Sequence, residues 1–387
     1  MKRFAVFNPE HDLALANGDA HYLAPRNIRE MAHDLAPLMD YLEWDTPWGW
    51  DAAVASHLHK SGIPRQELPT DAMLAALRTR SERITAHHLL QQMLPLSEHL
   101  TGESYVCRSL DDIKTYATQH SHLLLKAPLS GSGKGLRHLN LNDNHPSSRR
   151  STSALTSTLK KIESWADALI RRHGYLTAEP YYDKVQDFAM EFCVTDGQCH
   201  FIGYSLFTTD PHGRYDSNLL LSDADIEARL SEYIPRSVLH DVRHFVEAHT
   251  ELIVPAEWDT SRFPITFGID MMIVNIIGQQ PIHPDGNSQF TIHNSQFKLH
   301  PCVEINLRAN MGIVAHEVRR HLMAPEATGI YRLALFPDHA ALQAFDEEQR
   351  ALYPALYRDG LLVRGYHPLT SIEGDTRHLA YIISKEV

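Results

Sequence analysis

The sequence predicts an α/β protein with mixed sheets, and three observations carry that prediction. Short apolar runs of strand length alternate with longer amphipathic stretches along the whole chain. Hydrophobic residues make up 43% and charged residues 22%, the balance of a globular protein rather than a disordered or fibrous one. At 387 residues the chain is long enough for two or three domains with full cores.

The elements follow in order. Phe4–Phe7 reads as a short buried strand. Ile28, Met31, Leu35, Leu38 and Met39 form a helical stripe that Pro37 should bend or divide. Trp44, Trp48 and Trp50 lie in a loop around Pro47 and Gly49, where they would pin the loop to the core. Ser81–Leu94 reads as a helix capped by Ser81. A buried strand, Leu123–Leu125, precedes a glycine-rich loop, and Asn140–Ser153 is a polar surface loop. Thr156–His173 is an amphipathic helix stopped by Gly174. Strands are expected at Leu176–Tyr181, Phe188–Val194 and His200–Leu206, and Asp223–Leu252 should be mostly helix. Strands at Ile265–Ile277 and Cys302–Leu307 flank an insertion. It holds an imperfect tandem, Asn287–His293 and Asn294–His300, with a strand or hairpin pattern. A helix at Gly312–His321 follows, then a tail with a helix after Ala340 and strands at Leu361–Arg364 and Leu379–Ile383.

Charge narrows the partners. Lys plus Arg number 36 against 48 Asp plus Glu, a net charge of −12, which argues against nucleic acid as the main partner. A local basic pocket for a small phosphate ligand remains compatible with that balance. The longest apolar runs, such as Met271–Ile277, are too short to span a membrane. Met1–Asn17 carries Glu10, His11 and Asp12 and shows no signal-peptide core. Cys107, Cys193, Cys199 and Cys302 form no CxxC pair, so a reducing, cytoplasmic setting is expected. The 26 histidines show little metal-ligand spacing. His316 and His321 stand at i and i+5, whereas a helical zinc pair needs i and i+4.

The sharpest local feature is Lys126 at the end of a buried strand, followed by Ser130, Gly131, Ser132, Gly133, Lys134 and Gly135. Glycines let successive backbone N–H groups approach phosphate oxygens, and Lys126 adds a cation. Pro128 stands where a Walker A motif needs its first Gly, and Leu136 where a dinucleotide fingerprint needs its third, so the loop is neither. The second feature is carboxylates in apolar strands. Asp270 lies within Phe267–Val274, and Glu304 and Asn306 share one face of Val303–Leu307. Such groups are costly to bury unless paired or bound to a cation. Pairing with an arginine such as Arg308 would satisfy either carboxylate alone; with the phosphate-type loop nearby, Mg²⁺ is the better reading.

Taken in order, Lys126 with its loop, Glu179-Pro-Tyr-Tyr182, Asp270 and Glu304-Ile-Asn-Leu-Arg308 resemble the ATP-grasp enzymes, a superfamily that includes D-alanine–D-alanine ligase and biotin carboxylase. The resemblance covers about residues 80–325. It implies two α/β lobes clasping ATP, preceded by a small Rossmann-like N-terminal region. The divisions it suggests are 1–80, a nucleotide lobe 81–185, a metal-binding lobe 186–330 and a C-terminal extension 331–387. It implies that Lys126 and the Ser130–Gly135 flap hold the nucleotide phosphates. Glu179, Tyr181 and Tyr182 would meet adenine, and Asp187 stands at a ribose-binding position one methylene shorter than the usual Glu. Arg83 and Arg214 stand where the family has phosphate-binding lysines. Asp270, Glu304 and Asn306 would ligate Mg²⁺ (or Mn²⁺), and Arg308 would steady the transferred phosphoryl group.

The implied activity is an ATP-dependent ligase that activates a small-molecule or peptide carboxylate as an acyl phosphate for an amine or similar nucleophile. The substrate pocket is expected where Asn8, Glu10, His11 and Asp12 meet the metal site. Two alternatives stay open: a small-molecule kinase on the same fold, and a nucleotide-binding protein without turnover. The partners are then a small-molecule carboxylate and a nucleophile, with neither nucleic acid nor membrane, and a homodimer is also open.

Overall fold

Thirteen strands make two sheets in the computed structural model, which describes residues 3–130, 135–140, 160, 162–209, 215–276 and 296–385. The larger sheet has nine strands, and one end of it is a set of long antiparallel neighbours: β5 (Asp183–Thr195), β6 (Gln198–Thr209), β8 (Ile265–Asn275) and, at the edge, β9 (Phe297–Asn306). The strand order runs from β11 through β12, β13, β10, β7, β6, β5 and β8 to β9, with β7 at Tyr215–Leu220, β10 at Thr328–Leu335, β11 at Leu356–Arg358, β12 at Leu361–Pro368 and β13 at His378–Lys385. The C-terminal strands therefore extend the same sheet through β7 (Tyr215–Leu220). The smaller sheet has four strands in the order β1-β4-β2-β3, with β1 at Tyr105–Cys107, β2 at His122–Lys126, β3 at Leu136–Asn140 and β4 at Leu176–Pro180.

Alternation along the long strands separates a greasy face from a polar one. Phe188, Met190 and Phe192 of β5 and Phe267, Ile269 and Met271 of β8 are buried in the main core. Helices α3 (Ala52–Lys60), α4 (Asp71–Arg80) and α5 (Arg83–Met93) share that core. So do Val238, Leu239 and Val242 of the helix Arg236–Ala248. The opposite face presents Glu191, Gly268 and Asp270 in register with Glu304 and Asn306 of β9. Helix Met311–Leu322 covers part of that face, packing Ile313, Val314 and Val318 into a second core with Leu38, Trp48 and Tyr331.

Most expected elements form. The helical stripe divides at Pro37 into Arg26–Leu35 and a 3₁₀ stretch, Ala36–Asp40. Trp48 and Trp50 are buried, as a core-pinned loop requires. Asp223–Leu252 is two helices, Asp223–Leu230 and Arg236–Ala248, with Pro235 at the start of the second. The described part of the helix before Gly174, Glu163–His173, ends there with Gly174 at φ 83°.

Four expectations are corrected. The sheets are not mixed: every pairing between the described strands is antiparallel. Phe4–Phe7 is not a strand. It makes one main-chain bond, Trp48 N–H to Val6 O, and its apolar side chains are absorbed by packing, Phe4 and Val6 against one core and Phe7 in the other. Up to Met93 the described residues hold helices and 3₁₀ turns but no strand, so the N-terminal region is not a Rossmann-like sheet. Ser81 does not cap the helix that follows. Its hydroxyl donates to Leu77 O at the end of α4, and Glu82 is the N-cap of α5.

Of the tandem, the described stretch Phe297–His300 is the first part of β9, while Asn287–His293 lies outside the described residues. Among the described residues no helix is long and apolar enough to cross a membrane. The four cysteines are free.

Candidate active site

The cleft forms where the smaller sheet meets the polar face of β8 and β9. Lys126, the last residue of β2, is buried, and its Nζ pairs with Glu179 Oε2 of β4 at 2.6 Å. The register makes this possible: Leu124 faces Glu179 and Lys126 faces Thr177, so the two side chains are diagonal neighbours on one face. Lys126 Nζ also donates to Val303 O on β9 at 3.4 Å, which ties the two sheets together at the cleft.

The ends of the glycine loop are closed by backbone. Ala127 N–H donates to Gly135 O at 2.9 Å. A Cβ on Gly135 would lie 2.2 Å from Ser130 Oγ, so only glycine lets the loop return this tightly. Arg83, near the start of α5, holds the loop's first half. Its Nε donates to Ala127 O at 3.0 Å, its Nη2 reaches Ser130, and the same Nη2 pairs with Glu304 Oε1 at 3.0 Å. Arg83 therefore links the loop to the carboxylate strand. Gly131, Ser132, Gly133, Lys134 and Arg214 lie outside the described residues.

Asp270 faces Glu304 directly across β8 and β9. Burial, then Glu304 and Glu191, push the Asp270 carboxyl well above the usual carboxylate range, only partly offset by Asn306 and Arg308. Asn306 Nδ2 donates to Asp270 Oδ1 at 3.1 Å, while its Oδ1 accepts from Arg308 Nη2 at 3.0 Å. For its oxygen to join a cation with Asp270, the Asn306 amide must turn over. Asp187 shares the face of Ala189 and Glu191 on β5. It pairs with Lys184 and is held above its ordinary pKa by burial. Tyr181 is half exposed and stacks on His122, with centroids 4.1 Å apart, and Tyr182 meets His300 edge-on at 5.4 Å.

Two site features come from elsewhere in the chain. Asp12, in the first turn of α1 (His11–Asn17), grips Arg308 with both oxygens, at 3.2 and 2.9 Å. Burial disfavours charge on both partners, yet their pairing holds Asp12 below and Arg308 above their ordinary pKa values. The N-terminal polar segment thus meets the chain just beyond β9 through Asp12. Glu191 was not expected. Burial pushes its carboxyl up to about 7 against the 2.7 Å bond from Asn310 Nδ2. Its signal was the one that exposed Asp270: an acid inside an apolar strand, Phe188–Val194.

Three carboxylates on one partly buried face, with Asp270 driven toward protonation by burial and by its neighbours, form a donor set that a divalent cation would relieve. Lys126, Arg83 and Arg308 surround them with positive charge. The residues present therefore fit Mg²⁺ and a polyphosphate.

No protein-family model matches the sequence, and no curated protein matches it. Similar solved structures include an N5-carboxyaminoimidazole synthetase from Staphylococcus aureus complexed with ADP. The TM-score is 0.46 and the identity 12%, over 92% of this chain and 79% of that one. The biotin carboxylase domain of Hydrogenobacter thermophilus 2-oxoglutarate carboxylase, in complex with MgADP and bicarbonate, gives a TM-score of 0.45 and 11% identity, over 86% and 67%. An L-amino acid ligase from Bacillus licheniformis gives 0.45 and 12%, over 85% and 73%. Scores of this size carry nothing about substrates or residue roles, which rest on this chain's own geometry. The chain itself combines helices with two antiparallel sheets.

Proposed function

We propose that this protein is an ATP- and Mg²⁺-dependent ligase that activates a small carboxylate as an acyl phosphate for attack by an amine or similar nucleophile. The observation that supports it most is the partly buried Asp270–Glu304–Glu191 face opposite Lys126 and beside Arg83 and Arg308. Asp270 and Glu304 would hold the cation, with Asn306 joining after its amide turns. Bound Mg²⁺·ATP would supply the phosphoryl group and draw charge from its oxygens.

The chain's own residues position and neutralise. Lys126 exchanges part of its Glu179 contact for phosphate oxygens, which an ammonium does readily as a point charge. Arg83 keeps the loop near Glu304 while facing the phosphates with its fork. Arg308, oriented by Asp12 and Asn306, faces the carboxylate that receives the phosphoryl group. Closing the loop over the site would keep water from the acyl phosphate. No nucleophilic side chain is needed for this chemistry.

Thermal unfolding with a slowly hydrolysed ATP analogue, with and without Mg²⁺, tests the site. Ligand at about 100 times its Kd stabilises by about 2.7 kcal/mol, a clear rise in Tm. The expected rise requires nucleotide and Mg²⁺ together; no rise at millimolar Mg²⁺·nucleotide sinks the reading. Phosphate release that depends on both a carboxylate and an amine then separates a ligase from a kinase, which leaves phosphate on its product.

A further inference from the structure

His11 is the first residue of α1 and is 1% exposed. Its Nδ1 lies 3.0 Å from Asp51 Oδ2, and Asp51 is 3% exposed. Asp51 accepts two further bonds, from Asn8 Nδ2 at 3.1 Å and from Val54 N–H at 2.8 Å, the latter capping α3. A carboxylate that receives three donors is itself an acceptor, so the shared proton sits on His11 Nδ1. In the neutral ring that leaves a lone pair on Nε2. Nε2 is buried and has no hydrogen-bond partner among the described residues.

The ring is held in place by more than Asp51. Gly49 packs against it so closely that a Cβ there would fall 2.5 Å from His11 Cγ. Asn8 secures Gly49 with bonds of 2.9 Å to its O and 3.2 Å from its N–H. Leaving a buried acceptor unpaired costs about 1–3 kcal/mol, which a bound N–H would recover. His11 lines a narrow cavity together with Asp12, Arg83, Ser130, Glu304 and Asn306. That cavity has room for a single water-sized group, the size of an amino group.

Resting on the ligase reading above, we infer that His11 is the general base for the acceptor, oriented by Asp51. The amine nitrogen attacks the acyl carbon and forms the N–C bond. The C–O bond to phosphate breaks, and phosphate leaves with the electron pair. The proton shed by the amine passes to His11 Nε2. The tautomer set by Asp51 makes Nε2 the only ring nitrogen able to take it. Asp12 is committed to Arg308 and Glu304 to Arg83, so neither competes for that proton.

The test divides the two half-reactions. Hydroxylamine is largely unprotonated at neutral pH and captures an acyl phosphate without help from a base. A panel of the twenty common amino acids supplies carboxylates and amines together. In His11→Gln, hydroxamate formation should stay within about twofold of the parent, while amide formation falls about 10²–10⁴-fold. Added imidazole should restore part of the loss. Asp51→Asn keeps the α3 cap and should lower amide formation alone. Equal loss of both products in His11→Gln, or loss of neither, overturns the inference. If His11→Gln does not fold, unchanged amide formation in Asp51→Asn overturns it. A parent that makes no hydroxamate sinks the ligase reading itself, and the inference with it.

Discussion

Two acidic clusters lie along the helix Met311–Leu322, and they are balanced in opposite ways. At its N-terminus, Asn310 and Gly312 border Glu191, whose neighbours Asp270 and Glu304 leave carboxylates facing one another. Further along the helix, Glu317 is 2% exposed yet bonds Arg320 at 2.8 Å and lies within 3.2 Å of His321 and 3.5 Å of His316. Glu43, Glu317 and His321 gather within 4.8 Å, a metal-like spacing, but Arg320 already stands among them, paired with both acids. The second cluster neutralises itself with Arg320, whereas the first leaves Asp270 held well above the usual carboxylate range. Among the described residues only the second gathers its ligand atoms within 4.8 Å of one another.

Removing one acid from each cluster should therefore have opposite consequences. Glu304→Gln should lower turnover by about 10³-fold and abolish the Mg²⁺-dependent rise in Tm with nucleotide, because a ligand and its charge are lost. The fold itself should hold within about 1 kcal/mol, since losing the Arg83 pair is offset by relieved repulsion with Asp270. Nucleotide stabilisation that needs no more Mg²⁺ than the parent would show that Glu304 holds no cation. Glu317→Gln should do the reverse. It strands His316 and Arg320 without their buried anion and costs about 3 kcal/mol in denaturant unfolding. Its Mg²⁺·nucleotide shift should match the parent's, and a stability loss under 1 kcal/mol would mean that the cluster is not held by Glu317.

Much of this contrast was legible in the sequence, and its limits are physical. Asp270 and Glu304 stood out because charge inside an apolar period-two pattern needs a reason. Glu191 carried the same signal. The Lys126–Glu179 pair required the register of β2 against β4, which no local pattern encodes. Asp12 and Arg308 are separated by 296 positions, so their contact is a product of topology. His316 and His321 were rejected as zinc ligands on spacing. The structure gives them other work, since both contact Glu317, one from each side in sequence. The strand expected at Phe4–Phe7 failed because four apolar residues also suit a segment wedged between two cores.

The self-neutralised cluster makes one further measurable demand, on pH. Burial opposes charge on His316, but Asp223 and Glu317 outweigh it and raise its pKa to about 9. An unfolded histidine titrates near 6.5, so the folded state binds this proton more tightly. Its contribution is fully present below about pH 6.5 and is lost as pH rises through about 9. The span corresponds to about 3 kcal/mol at most, and to about 2 kcal/mol once the 17% exposure of the side chain is discounted. Denaturant midpoints of the parent should fall between pH 6.5 and 9, and His316→Gln should flatten that slope while starting from lower stability at pH 6. A variant that keeps the parent's slope would place the proton elsewhere. The carboxylate cluster would then have to be examined as its source, because Glu191, with its pKa raised to about 7, releases a proton over part of the same range. The two sources share a sign but differ in window: the Glu191 loss runs from about pH 4.5 to about 7, the His316 loss from about 6.5 to about 9. A carboxyl held protonated by burial costs stability as it is forced to ionise, and Mg²⁺·nucleotide should relieve that cost. The His316 slope should be indifferent to Mg²⁺·nucleotide, because Glu317, Asp223 and Arg320 complete their pairing without it.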